Sequence, residues 1–260
     1  MRFAICNEIY QGWKLEDALV HAARLGYTGM EIAPFTLANS VTEISYTERQ
    51  RTHELALRKN IPIRGLHWLL VKPEGLSLNH TDARIRARTA KYFVELVDCC
   101  ADLGGTIMVV GSPKQRQVLE GVSRQQAWDW TAATLQDAVK RAEDRGVTIC
   151  FEPLSPVETN FINTAAEAIE FVKPFNSSAF KIILDVKAMS SETKPIPQII
   201  GQPAALRAFS RQRQKSQRTG IRHGEFQTDC DGAAHGGLSG LRVRGGVQIR
   251  GRAGVDCRPE

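Results

Sequence analysis

The chain has 260 residues, 42% of them hydrophobic, enough for one large domain with its own core. Its formal charge of +6 resides entirely in 201–260, where eleven basic residues meet five acidic ones; the first 200 residues are neutral as a body and give no electrostatic reason to expect a polyanionic partner. The absence of any run of about 18 apolar residues excludes a membrane-spanning helix, MRFAICNEIY lacks the apolar stretch of a secretory leader, and six cysteines without CxxC spacing point to a reducing cytoplasm.

The first predicted strand is Arg2–Cys6, ending in Asn7-Glu8. Leu15, Leu19, Ala22 and Ala23 then share one helical face, and Gly26 stops that helix. Gly29–Ala33 is the second strand, and Ser45 with Glu48 has the spacing of a capping box for a helix running to about Lys59. Pro62–Leu66 follows, then a long helix from Asp82 to about Ala101. Thr106–Val110 precedes a helix that starts near Ser123, with Gln126 at the box position, and ends at Gly146. Val147–Phe151 precedes a helix capped by Thr164 and Glu167, and Phe180–Leu184 is the sixth strand.

These runs are rich in Ile and Val and mostly apolar on both faces, as strands buried in a parallel sheet are. Their starts lie about 27 to 44 residues apart, which suits right-handed βα crossovers. The pattern predicts an α/β fold, a (β/α)8 TIM barrel with six βα units recognisable in 1–200. The last two units are replaced by an irregular basic tail, 201–260, rich in Gly and Arg and expected to be disordered. Leu241–Ile249 alternates weakly but is broken at Gly245–Gly246. Six units alone leave two open sheet edges, so such a chain is expected to be marginally stable or aggregation-prone.

In a βα barrel the chemistry sits at the C-terminal strand ends. There the sequence carries Asn7-Glu8, Glu31, His67-Trp68, Gly111-Ser112, Glu152-Pro153 and Asp185. Asn7 and Ser112 read as loop hydrogen-bonders. Glu31 reads either as a core-edge carboxylate paired to a Lys or Arg or as a site group, and His67 either as a rim histidine or as a substrate contact. Glu152 and Asp185 directly follow apolar strands, where a buried carboxylate is costly unless it is paired or holds a cation.

Phe151-Glu152-Pro153-Leu154, Glu158-Thr159-Asn160 with Asn163-Thr164, and Leu184-Asp185-Val186-Lys187-Ala188-Met189 resemble motifs of the sugar-phosphate isomerase/epimerase family. These are xylose-isomerase-like TIM barrels that include D-tagatose 3-epimerase. Looser support comes from Leu25–Ile32 and Gly65-Leu66-His67, and the likeness covers about three quarters of the chain. It implies isomerisation or epimerisation of a sugar or ketose, free or phosphorylated, in the cytoplasm. It also implies a divalent metal (manganese, magnesium or cobalt) held by Glu, Asp, His and Glu. Glu152 matches the first ligand and also serves as catalytic acid/base; Asp185 matches the second. Glu158 and His67 are the expected substrate contacts. Ser155-Pro156 replaces a frequent Asn-Arg pair, which alters the substrate-binding segment. A metal polarises the ketose carbonyl, and carboxylates move a proton off and onto the adjacent carbon. The expected partner is a small sugar, with neither membrane nor nucleic acid involved; a homo-oligomer is compatible with the architecture.

The family's third ligand lies in a His-Phe-His-Ala-Asn-Asp segment and its fourth in a Val-Ser-Val-Glu-Val strand; neither is present, and His223 and His235 have no strand before them. We read 201–260 as the product of a frameshift. Ala208–Gln214 can be written GCA TTT TCA CGC CAA CGA CAA, and one base later this becomes CAT TTT CAC GCC AAC GAC, or His-Phe-His-Ala-Asn-Asp. The same shift over Leu238–Gly246 allows Tyr-Arg-Gly-Tyr-Val-Ser-Val-Glu. With half the metal site missing, little activity is expected of this chain. Two other readings stand beside this one. One is a metal-dependent hydrolase of the abasic-site endonuclease kind, which the few histidines of 1–200 disfavour. The other is a non-catalytic binding protein with an Arg-rich tail, whose binding would be salt-sensitive.

Overall fold

Six short runs of β-branched and long aliphatic residues form one parallel sheet in the computed structural model, which describes residues 3–201. The strands are β1 Ala4–Cys6, β2 Gly29–Ile32, β3 Ile63–Leu66, β4 Ile107–Val110, β5 Thr148–Phe151 and β6 Phe180–Ile182. Spatial order follows chain order, and every neighbouring pair is parallel. Parallel pairing requires a crossover between consecutive strands. Helices α1 Leu15–Arg24, α2 Tyr46–Arg58, α3 Ala83–Asp102, α4 Arg124–Arg145 and α5 Ala165–Val172 supply it. The result is six strands of a TIM-barrel-like α/β fold, and all six predicted strands are present to within two residues.

The helix boundaries follow from local chemistry. Ser45 and Thr164 each accept a hydrogen bond from the backbone N–H of a glutamate three residues on, and that glutamate's carboxylate accepts one from the backbone N–H of the serine or threonine, so both capping boxes form. Ser123 Oγ accepts from Gln126 N at 3.1 Å. Gly146 ends α4 at φ +65°, a left-handed conformation that glycine adopts at little cost. After β6 come two short helices, α6 Val186–Met189 and α7 Ile196–Ile200, in a stretch where the sequence pattern names no helix. Pro195 and Pro197, which lack an amide hydrogen, help keep the two apart.

Alternation along the strands divides the core. Met30, Ile32, Met108, Val110, Ile149 and Phe151 pack outward against the helices. Phe151 meets Phe171 of α5 with ring centroids 4.8 Å apart, and Phe171 meets Trp128 of α4 at 5.0 Å. Ile107, Val109, Cys150 and Ile183 form a separate cluster on the other face, the interior of the sheet's curve. Helices α3 and α4 are tied by Arg141 and Arg145 to Asp98, and by Arg145 to Asp102. Arg49 of α2 also reaches Asp102, at 3.1 Å. No helix among the described residues is long and apolar enough to cross a membrane. The basic segment beyond Gly201, and the disorder and frameshift readings placed on it, lie outside the described residues.

Candidate functional site

The interior face decides where the polar groups meet. Val109, Cys150 and Ile183 point inward, so Gly111, Glu152 and Asp185, each two residues further on, continue the same face. Glu152 and Asp185 are both buried, 1% and 4% exposed, at the ends of paired strands. A β-carbon on Gly111 would stand 2.0 Å from Glu152 Oε2, so only a residue without one leaves that carboxylate its room. Asp185 also caps α6, accepting from Lys187 N at 3.4 Å.

Arg116 adjoins Glu152. It is fully buried, donates from Nη1 to the Glu152 carbonyl at 2.7 Å, and sits over the Phe151 ring at 5.0 Å from its centroid. Its Nε and Nη2 have no hydrogen-bond partner among the described residues. Burial lowers its pKa to about 10, and the nearby Glu152 and Glu158 oppose that fall.

Glu158 and His67 line one pocket with Trp68, Gly111, Pro113 and Leu154. Glu158 is held from two sides: Ser155 Oγ donates to Oε2 at 2.8 Å, and Lys187 Nζ lies 2.7 Å from Oε1. Burial alone would raise its pKa, but the bonds from Lys187 and Ser155 outweigh this and hold it below the ordinary carboxylate value. Ser155, which stands in the segment where the family resemblance leads one to expect another pair, thus orients the glutamate three residues on.

On the other side of the arc, Cys6 and Glu31 are register partners on β1 and β2. Glu31 lies between the outward-facing Met30 and Ile32, so it points inward. The His67 ring follows β3, with Nδ1 3.9 Å from Glu31 Oε2. One ligand atom from each of Cys6, Glu31 and His67 lies within 4.8 Å of the others. Burial, then the neighbouring Glu8 and Glu31, push the Cys6 thiol well above its ordinary pKa. For Glu31 the structure brings an imidazole close. Asn7 is the loop hydrogen-bonder expected: its Oδ1 accepts from Ala33 N at 2.8 Å and its Nδ2 donates to Thr36 at 2.7 Å. Ser112 likewise accepts from Leu70 N at 3.3 Å.

A family model, the xylose isomerase-like TIM barrel, matches residues 19–218. The chain belongs to this family. Two curated relatives resemble it in sequence. It is 29% identical over 169 residues to the L-ribulose 3-epimerase of Mesorhizobium japonicum, covering 60% of this chain and 56% of that enzyme. It is 26% identical over 181 residues to the D-psicose 3-epimerase of Agrobacterium fabrum, covering 65% and 57%. The chain therefore spans just over half the length of the curated relatives it matches. The crystal structure of D-psicose 3-epimerase with D-tagatose from Clostridium cellulolyticum H10 superposes with a TM-score of 0.68 at 22% identity, over 80% of this chain and 71% of that one. At that identity the likeness concerns the fold.

Four contributions to this family member's site were not foreseen from sequence: the room left by Gly111, the buried Arg116, the Lys187–Glu158 pair and the entry of Cys6 beside Glu31 and His67. Only Gly111, without a side chain at a strand end, gave a visible signal.

Proposed function

We propose that this barrel is a sugar epimerase of the isomerase class, acting on a ketose by moving a proton at the carbon next to the carbonyl. The observation that carries this reading is Glu152, an inward carboxylate given room by Gly111 and adjoining the pocket of Glu158 and His67. The names of the curated relatives, L-ribulose and D-psicose 3-epimerases, support a ketose and inversion at its third carbon.

The residues fit a divalent cation such as manganese, magnesium or cobalt. Glu152 and Asp185 are oxygen donors on one face of neighbouring strands, and the space beside Gly111 keeps the Glu152 carboxylate inside. Glu152 and Asp185 would hold the ion, which when bound supplies Lewis-acid stabilisation of charge developing on the ketose oxygens. Glu152 takes the proton from the substrate carbon. Glu158, kept ionised by Lys187 and Ser155, accepts a hydrogen bond from a sugar hydroxyl. His67 bonds a neighbouring oxygen, and Trp68 gives the apolar wall against which a sugar face packs. Inversion needs a second carboxylate on the opposite face of the adjacent carbon, and the family's fourth ligand is a glutamate in a Val-Ser-Val-Glu-Val motif. That motif is absent in frame, so we expect proton abstraction from this chain with weak net epimerisation. The four described cysteines, all free thiols, support action in a reducing cytoplasm.

The half-reaction provides the test. In deuterated buffer with manganese or cobalt, the full chain should exchange the C3 proton of D-psicose or L-ribulose for deuterium, read by NMR. Glu152→Gln should slow exchange by ~10²–10⁴-fold. Absence of exchange from a folded, metal-supplemented chain would refute the reading.

A further inference from the structure

We propose that Cys6, Glu31 and His67 form a second divalent-cation site, suited to zinc or cobalt and separate from the Glu152–Asp185 pair. The geometry comes from the sheet. Cys6 and Glu31 are direct register partners on adjacent parallel strands, so their side chains leave the sheet on one face. The register shift between Met30 and Glu31 sets Glu31 opposite Gly65, and His67, two residues beyond, returns to that face. Three different donors converge as a result: a sulfur, a carboxylate oxygen and an imidazole nitrogen, all within 4.8 Å of one another.

Tetrahedral coordination with bonds of about 2.0–2.3 Å sets its ligand atoms about 3.3–3.8 Å apart. The His67–Glu31 separation of 3.9 Å is already close to this, so rotations of side chains around the cluster complete the contraction. A set of thiolate, imidazole and carboxylate favours a borderline ion, whereas the two carboxylates of the other pair favour a harder one. The three donors leave the fourth position of a tetrahedral set to an exogenous ligand. Coordination breaks the Cys6 S–H bond; the sulfur keeps the electron pair and gives it to the cation, and the proton leaves to solvent. His67 also lines the pocket with Glu158, so the occupied site would form one wall of the cavity that receives substrate. The inference does not depend on the epimerase reading.

Cobalt(II) is the probe. Titrated into the full chain, it should give the thiolate-to-cobalt charge-transfer band with one equivalent bound. Glu152→Gln should keep that band. Cys6→Ser should abolish it, and His67→Asn should weaken cobalt affinity by ~10–100-fold or more. A wild-type titration without the band overturns the proposal. So does a band that survives Cys6→Ser, which would assign the thiolate to another of the six cysteines. Far-ultraviolet circular dichroism checks folding. Should Cys6→Ser not fold, Glu31→Gln and His67→Asn decide, and unchanged affinity in both overturns the site. Loss of the band with C3 exchange intact removes the second cation and leaves the epimerase reading standing.

Discussion

Gly111 faces the carboxylate of Glu152 so closely that a β-carbon there would stand 2.0 Å from Oε2. Two strands therefore share one space, and the smaller residue yields it to the larger. Gly111→Ala should push the carboxylate aside while the outward-facing layer stays as it is. A displacement of about 1 Å at a reacting group can cost on the order of 100-fold in rate. We expect C3 proton exchange to fall by about that factor with an unchanged circular dichroism spectrum; exchange at the wild-type rate would show that the contact does not position Glu152.

Lys187 and Ser155 hold Glu158 ionised at lower pH than an ordinary glutamate. Because the folded-state value is depressed, the associated stability is fully present above the ordinary carboxylate range and is lost as pH falls through the depressed value. Lys187→Met removes one of the two donors and leaves burial to act against less opposition. The Glu158 pKa should then rise, moving the acidic limb of the pH–activity profile upward. Side-chain carboxyl NMR titration checks the same shift directly, and an unmoved value would mean that Lys187 does not control this group.

Phe171 is the hub of the outer layer, touching Phe151, Trp128, Phe175 and Phe180. Phe171→Ala should destabilise the fold by about 3–5 kcal/mol. Denaturant unfolding measures this, and a cost under about 1 kcal/mol would mean that the aromatic cluster relaxes to fill the gap.

The reading-frame hypothesis is tested at the gene. Sequencing across the codons for Pro197–Ala205 and translating the frame one base later should give His-Phe-His-Ala-Asn-Asp and then a Val-Glu-Val strand. A frame lacking both would make the in-frame tail the genuine one and favour a non-catalytic role.

Much of the fold was legible because each strand is a short two-sided apolar run and each long helix carries its own start or stop signal. Ser45 with Glu48 and Thr164 with Glu167 are purely local devices, and they formed as written. Glu152 and Asp185 stood out because a carboxylate at the end of a buried strand needs a reason. What escaped depends on register and on contacts distant in sequence. Cys6 meets Glu31 through strand pairing, and Lys187 meets Glu158 across 29 residues. Arg116 follows Lys114-Gln115 with nothing local to mark it for full burial. The break between α6 and α7 lies in Pro195 and Pro197, beyond the last strand of the repeating pattern.

The two faces of each strand answer to different neighbours. Outward residues such as Ile149 and Phe151 bind the sheet to its helices, whereas Val109, Cys150 and Ile183 form a small plug under the polar rim. Heat tolerance and the shape of the pocket floor can consequently be tuned on separate residue sets. Repacking around Phe171 changes how firmly the scaffold holds, and exchanges among the plug residues raise or lower the surface beneath the polar rim.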